Sequence, residues 1–271
     1  MERQIPNYEY KEYFSKRNEY CLLIPTWNEG ERIQIELKRL KDSDIPGKID
    51  IFLLDAGSTD GSINDDFLKD IGVRAVLTIR MKGQANAYKA GFSKVSDEKY
   101  KGIVTVDGNN KNSVEQTMEF VDLLEKGYDF VQGSRFIKGG YHENTPILRL
   151  LGMKLFSNPL ISMSSGFKYT EIMSSFRGYK MDIINDERIA IFRDVFQTWD
   201  LLLYLSNKIP QLGYKVIEIP QIRVYPKKGK TPTKINVIGN IKIIIQLVKI
   251  AVGFYDFNPK KEGGNNNEYR R

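Results

Sequence analysis

The stretch Gly102-Ile103-Val104-Thr105-Val106-Asp107-Gly108-Asn109 constrains the fold more than any other in the chain. Apolar, mostly β-branched residues run straight into an acidic, amide-bearing turn, the pattern of a buried strand that delivers a carboxylate to the carboxyl edge of a sheet. Similar units flank it. Tyr20-Cys21-Leu22-Leu23-Ile24-Pro25 opens onto Thr26-Trp27-Asn28-Glu29-Gly30, and residues 49–54 open onto Asp55-Ala56-Gly57-Ser58-Thr59-Asp60-Gly61-Ser62. Residues 73–79 lead to Arg80-Met81-Lys82-Gly83, and residues 128–132 to Gly133-Ser134-Arg135. Helical stretches lie between: one with Ile33, Ile35, Leu37 and Leu40, and one with Phe67 and Leu68, capped by Asp60 or Ser62. A third starts near Gln84, and a fourth covers residues 113–126 with Val114, Met118, Val121 and Leu124 inward. This alternation predicts an α/β fold with a mainly parallel, doubly wound sheet flanked by helices.

Beyond Pro146 the alternation stops. Residues 147–161 read as an apolar helix carrying Arg149 and Lys154, and Ser174-Ser175-Phe176-Arg177-Gly178-Tyr179 as a compact polar-aromatic segment. A helix over 196–206 has Trp199 and Asp200 near its start, and a strand over 214–219 ends at Pro220 before a basic loop over 223–234. Residues 235–255 are the most apolar, but Asn236, Asn240, Lys242, Gln246 and Lys249 interrupt them, so a span of about twenty apolar residues is missing. Lys242, Gln246 and Lys249 share one narrow helical stripe, which suits a helix lying in a membrane interface. A core helix or a dimer contact fits the same pattern. The expected organisation is a polar extension over 1–19, the main domain over 20–234, an amphipathic helical extension over 235–257 and a disordered tail over 258–271.

The chain of 271 residues carries a net charge of +7, which calls for an anionic partner: nucleic acid, acidic lipid or a phosphorylated small molecule. Aromatic residues are not interleaved with the carboxyl-terminal lysines as a base-stacking platform requires, which excludes nucleic acid. A single histidine, His142, rules out a zinc cluster or a histidine triad, and a single cysteine, Cys21, rules out a disulfide framework. Acid-base chemistry therefore falls to carboxylates. The first twenty residues are polar and charged, so no signal peptide is expected there.

Glu29, Asp55 and Asp107 all leave the same predicted sheet edge, where open α/β folds bind ligands. Asp107 and Asn109 lie two apart across Gly108, so both side-chain oxygens could turn toward one hard cation that bridges nucleotide phosphates. Lys82, Arg135, Arg177 and Arg223 could supply positive charge to a diphosphate. Each alone has an ordinary explanation: a strand-end aspartate as turn former, a lysine or arginine as solvated surface charge. The ordered series is what carries weight.

That series resembles the family 2 glycosyltransferases of the GT-A fold. Ile24-Pro25-Thr26-Trp27-Asn28-Glu29 is similar to the family's opening strand and nucleotide loop, residues 54–62 to its second nucleotide motif, and Val106-Asp107-Gly108-Asn109 to its DxD metal motif. Gly133-Ser134-Arg135-Phe136, Ser175-Phe176-Arg177-Gly178-Tyr179 and Glu218-Ile219-Pro220 narrow the resemblance toward the branch of dolichyl-phosphate mannose synthase and bacterial polyprenyl-phosphate glycosyltransferases. Asn109 stands in place of the second aspartate, Ala56 in place of an acidic residue, and Lys111 where that branch often has glutamine. The resemblance implies a nucleotide-sugar site of Pro25, Thr26, Glu29, Asp55, Lys82, Asp107 and Gly108, with Mg2+ or Mn2+ on Asp107 and Asn109. It also implies that Arg135, Arg177, Arg223 and Lys234 face donor or acceptor phosphates, and that Asp200 joins Asp107 as a catalytic group. The implied reaction is inverting transfer of a sugar to a polyprenyl phosphate or lipid-linked saccharide in bacterial surface polysaccharide or capsule synthesis. The implied location is cytoplasmic, peripheral to the inner face of the cell membrane, with homo-oligomer formation left open.

Two other classes compete. A sugar nucleotidyltransferase needs a glycine-rich, basic loop after the first strand, where this chain has Thr26-Trp27-Asn28-Glu29. A non-enzymatic protein that binds anionic membrane would need only the basic carboxyl-terminal third.

Overall fold

The computed structural model describes residues 2–227 and 237–258, so Lys234 and the tail from 259 onward lie outside the described residues. In chain order the first half comprises β1 (Tyr8–Glu12), β2 (Tyr20–Thr26), α1 (Glu31–Asp42), β3 (Asp50–Asp55), α2 (Asp65–Ile71), β4 (Ala75–Ile79), α3 (Gln84–Asp97), β5 (Gly102–Thr105) and α4 (Thr117–Glu125). There follow β6 (Phe130–Ser134), β7 (Tyr141–Glu143), α5 (Ile147–Gly152), α6 (Asn158–Ser165), β8 (Arg177–Lys180), α7 (Met181–Asn185), α8 (Asp200–Gln211), β9 (Val216–Pro220), β10 (Ile222–Val224) and α9 (Val237–Ala251). A π-turn, Met153–Ser157, joins α5 to α6.

The main sheet runs β1-β4-β3-β2-β5-β8-β6-β9. The block β4-β3-β2-β5 is parallel, as the strand-helix alternation requires. Side chains of β2 alternate between two cores. Cys21 and Leu23 join the layer under α3 and α8, and Leu22 and Ile24 the layer under α1 and α4. Two strands depart from the parallel expectation. After β6 the chain stays on the carboxyl edge to build α5 and α6, so it re-enters the sheet from that edge and β8 runs antiparallel between β5 and β6. At the other margin β1 pairs antiparallel with β4, so the segment read as a polar extension supplies an edge strand. Its solvent-facing side is polar, as exposed edges usually are, while Tyr8 and Tyr10 pack onto the core.

Local details also differ from the sequence reading. The cap of α2 is Asn64, whose Oδ1 accepts from the amides of Asp66 (3.0 Å) and Phe67 (3.2 Å). Asp60 and Ser62 instead bond to each other, and Asp60 Oδ2 accepts from the Gly30 amide at 2.8 Å. In α1, Ile33, Leu37 and Leu40 are buried as expected, whereas Ile35 faces solvent and the buried position goes to Glu36. Helix α9 packs against α6 and α8 through Ile243, Leu247 and Ile250. Gln246 points inward, donating to Thr198 Oγ1 (2.8 Å) and Asp200 Oδ2 (3.2 Å), so it does not share an outward stripe with Lys242 and Lys249. Among the described residues no helix is long and apolar enough to cross a membrane.

Candidate active site

Strands β2, β3 and β5 end side by side, and their loops form one rim. The Thr26 carbonyl accepts from the Ala56 amide (3.0 Å), Asn28 Oδ1 from the Thr59 amide (2.8 Å), and Ser58 Oγ from the Asn28 amide (2.9 Å). Asp55 is buried and accepts from the Ser58 amide (3.0 Å) and hydroxyl (2.6 Å), which closes the second loop on itself. Glu29 pairs with Arg32 at 2.8 Å, and Lys82 Nζ lies 5.9 Å from the Trp27 ring at the exposed mouth of the rim. Pro25, Thr26, Glu29, Asp55 and Lys82 therefore gather at the edge that the sequence assigns to them.

Asp107 sits two residues beyond β5. Its Oδ1 accepts from Gln84 Nε2 at the start of α3 (3.1 Å), and its Oδ2 is 3.6 Å from Arg223 Nη2 of β10. Only glycine fits next: a Cβ at Gly108 would stand 2.9 Å from Ile33 Cδ1 and 3.2 Å from the Pro25 carbonyl oxygen. Asn109 is buried, and its Oδ1 has no hydrogen-bond partner among the described residues. A buried acceptor left open beside a carboxylate is what a hard cation would use. No three His, Cys, Asp or Glu side chains converge among the described residues. A carboxylate on the cavity wall, with phosphate and water completing the shell, fits a Mg2+-like ion, and Asn109 Oδ1 is a second open oxygen of the same turn.

Beside Asp107 opens a cavity of about 440 Å³. Lys111, Arg135, Arg149, Arg223 and Tyr225 line its polar end, while Leu148, Met153, Phe156, Ile243, Ile244 and Leu247 line the rest. The cations are assembled by backbone pairing: the Val224 amide donates to the Lys111 carbonyl (2.9 Å) and the Ser113 amide to the Ile222 carbonyl (3.0 Å). Arg223 and Tyr225, two apart on an extended segment, then project together toward Lys111. The Tyr225 ring centroid is 5.0 Å from Lys111 Nζ and 5.7 Å from the Arg223 guanidinium carbon, and its hydroxyl accepts from Arg149 Nη1 at 3.3 Å. Burial, reinforced by the charge of Arg223, pulls the Lys111 amine down to about 8 against the opposing pull of Asp107. Burial would raise the Tyr225 phenol, but Arg223, Lys111, Arg149 and Arg135 outweigh it and hold it at about 8. Among the described residues Lys111 Nζ has neither a hydrogen bond nor an ion pair, and Arg223 Nε is buried without an acceptor. This end of the cavity is built for an anion.

Three residues assigned by the sequence are engaged by other protein groups. Arg177 is buried with Nε on the Ser174 carbonyl (2.7 Å), Nη2 on the Ile172 carbonyl (2.7 Å) and Nη1 on the Leu202 carbonyl, so it fastens β8 to α8 and most of its donors are committed to the backbone. Arg135 reaches the cavity wall, and Glu171 clasps it at 2.5 Å with both side chains buried, so its charge is already paired. Asp200 occupies the first turn of α8, where its Oδ1 accepts from the amides of Gln197 (3.1 Å), Thr198 (2.9 Å) and Leu201 (3.1 Å). It is buried, held by these amides, and the cavity lining includes its neighbour Trp199 but not Asp200 itself. Conversely, Lys111, Arg149 and Tyr225 join the site without having been assigned to it. The alternation Ile222-Arg223-Val224-Tyr225 was the available signal for Tyr225.

Residues 21–188 match the sequence profile described as Glycosyl transferase family 2. The chain is 26% identical over 223 residues to the undecaprenyl-phosphate mannosyltransferase of Micrococcus luteus, covering 80% of this chain and 88% of that one. It is 26% identical over 203 residues to the polyprenol monophosphomannose synthase of Mycolicibacterium smegmatis, covering 73% and 75%. Among solved structures, glucosyl-3-phosphoglycerate synthase from Mycobacterium tuberculosis, in complex with Mn2+, UDP and phosphoglyceric acid, superposes with a TM-score of 0.59. That match covers 86% of this chain and 78% of the other at 12% identity, and it speaks for the shared fold.

Proposed function

Because the chain belongs to glycosyl transferase family 2, we propose that it transfers a sugar from a nucleotide-sugar to a polyprenyl phosphate, where the Asp107 turn meets the cationic cavity. The observation that carries this reading is the cavity itself: an unpaired buried ammonium and two guanidiniums at one end, apolar side chains along the rest. A phosphate monoester on a long hydrocarbon matches both ends. The acceptor oxygen of such a phosphate is already anionic, so no general base is required. Among the described residues lining the cavity, Asp107 is the sole carboxylate, and Asp200 is engaged by backbone amides. A saccharide hydroxyl, which would need a base, is served less well. The names of the two bacterial relatives agree with this choice of acceptor.

On the donor side, the rim of Pro25, Thr26, Glu29 and Asp55 would hold the nucleotide. Asp107 and Asn109 would hold Mg2+ or Mn2+, which supplies neutralising charge to the diphosphate as it leaves. The structural relative solved with Mn2+ and UDP supports that assignment. Lys111, Arg149 and Arg223 would orient the acceptor phosphate toward the anomeric carbon, and the Gln84 amide would keep Asp107 turned to the rim. The test is a panel of labelled nucleotide-sugars incubated with undecaprenyl phosphate and Mn2+. One donor is expected to give organic-extractable label with release of a nucleoside diphosphate. Release of pyrophosphate from a nucleoside triphosphate and a sugar phosphate, with no lipid-linked label, would move the chain to the nucleotidyltransferases.

The acceptor's hydrocarbon implies a docking surface. Leu148 and Ile244 line the cavity and are 85% and 48% exposed, so its apolar end is continuous with the outer faces of α5, the π-turn and α9. Ile147, Leu155, Ile245, Val248 and Val252 extend that face, and the exposed Lys154, Lys242 and Lys249 accompany it. In this reading an anionic bilayer is its occupant, at the inner face of the cell membrane. Leu148→Asp with Leu155→Asp is expected to cut co-sedimentation with phosphatidylglycerol vesicles by about tenfold or more. Undiminished binding of the double variant would remove this face from the account.

A further inference from the structure

Helix α1 lies along the turn that bears Asp107, and three of its residues, spaced three apart on one face, touch that turn in succession. Ile33 packs where a side chain at position 108 would be, its Cδ1 lying 2.9 Å from where a Cβ there would stand. The fully buried Glu36 accepts from the Asn110 amide through Oε2 at 2.5 Å, and Arg39 Nη1 donates to Asn110 Oδ1 at 2.7 Å. The remaining nitrogens of Arg39 are fixed on Glu115, both at 2.8 Å. Asn110 is thereby gripped by backbone and side chain in a left-handed conformation, φ 54°. That bend separates Asp107 from Lys111, which nevertheless line the same cavity.

We propose that Glu36 is a positioning residue for sugar transfer: from α1 it fixes the bend at Asn110 that turns the Asp107 carboxylate and the Lys111 ammonium into one cavity. A carboxyl buried among Ile33, Leu37 and Leu40 on the inner face of α1 is costly unless hydrogen-bonded, and its second oxygen has no partner among the described residues. Burial, with Asp107 nearby, pushes this carboxyl up to about 8 although the Asn110 amide opposes the shift, so at neutral pH it is the uncharged acid that glutamine mimics. Helix α1 also begins at the nucleotide rim, where Arg32 holds Glu29, so one rigid element links the donor loop to the turn. The inference rests on the proposed site, because it gives that site its geometry.

The experiment compares Glu36→Gln, which keeps the acceptor and the shape, with Glu36→Leu, which keeps only the bulk. Hydrogen exchange at the Asn110 amide and calorimetric binding of Mn2+ with inorganic pyrophosphate are measured on the full chain. Glu36→Leu is expected to speed Asn110 exchange and weaken binding, each by about tenfold or more, with Glu36→Gln restoring both. Slow exchange in the leucine variant, or a glutamine variant as impaired as leucine, overturns the proposal. Should the leucine variant fail to fold, Glu36→Met, which likewise removes the acceptor but keeps an unbranched chain of similar length, takes its place. Faster Asn110 exchange is then expected, and unchanged exchange overturns the proposal. A wild-type chain that ignores Mn2+ and pyrophosphate counts against the nucleotide-sugar site, and Asn110 exchange then decides the positioning role by itself.

Discussion

Asp107→Ala is expected to lower sugar transfer by about 10²–10³ or more while the protein stays folded. The carboxylate makes one hydrogen bond, from Gln84, and one loose ion pair, to Arg223 at 3.6 Å, so little of the fold depends on it. Its electrostatic weight is larger. It is the sole carboxylate among the described residues of a cavity that also holds Lys111, Arg149 and Arg223. Removing it would deprive a bound divalent ion of its charged ligand, and Asn109 alone would offer a neutral oxygen. The same removal makes the cavity more positive, so inorganic phosphate should bind as well as before or more tightly. Loss of transfer with retained phosphate binding and an unchanged melting temperature is the signature. A variant with wild-type transfer would take the carboxylate out of the chemistry.

The parts of this site that the sequence displays are those fixed by local chain direction. A β-branched run before Asp107 and a cap-rich turn after Asp55 can be read in one dimension, because strand ends and turns obey short-range rules. What could not be read was competition for the same charges. Arg135 and Arg177 sit in motifs, yet Glu171 and three carbonyls, brought in from elsewhere in the chain, claim their donors before any ligand does. Asp200 is a helix-start aspartate, and the amides of Gln197 and Thr198 just before the helix, with that of Leu201 inside it, occupy it. Lys111 shows the converse. Its position, where the resembled branch often has glutamine, marked it in the sequence only as a departure, and its place in the cavity comes from the pairing of β10 with the backbone at residues 111–113. The same limit explains β8, whose antiparallel course is set by where α5 and α6 return the chain, and β1, whose alternation is muted by an exposed edge.

Lys111→Met is expected to raise stability and to weaken acceptor capture, and the two effects have one cause. An ammonium whose pKa falls from 10.5 to about 8 on folding is held at a disadvantage in the native state. The unfolded chain binds more protons between those two values, so the cost is fully present below pH 8 and fades as pH rises toward 10.5. At neutral pH it amounts to about 3 kcal/mol, which methionine of similar length would recover. A charge kept buried at such a cost needs an anion to offset it, and the phosphate of the acceptor is the one the cavity can admit. Losing that charge-assisted contact should reduce kcat/KM for undecaprenyl phosphate by about 10- to 100-fold. In the wild type the same parameter should fall as pH passes 8, because Lys111 loses its proton there and Tyr225 becomes a phenolate facing the phosphate. In Lys111→Met the fall should be shallower and start at higher pH, since Lys111 is one of the cations that hold the Tyr225 phenol down. Profiles measured from pH 6.5 to 9.5, a range of about 1.5 units either side of the two groups, separate the cases. An unchanged acceptor KM and an unmoved inflection in the methionine variant would detach Lys111 from the phosphate. The extra stability would then mark it as a buried charge without a ligand.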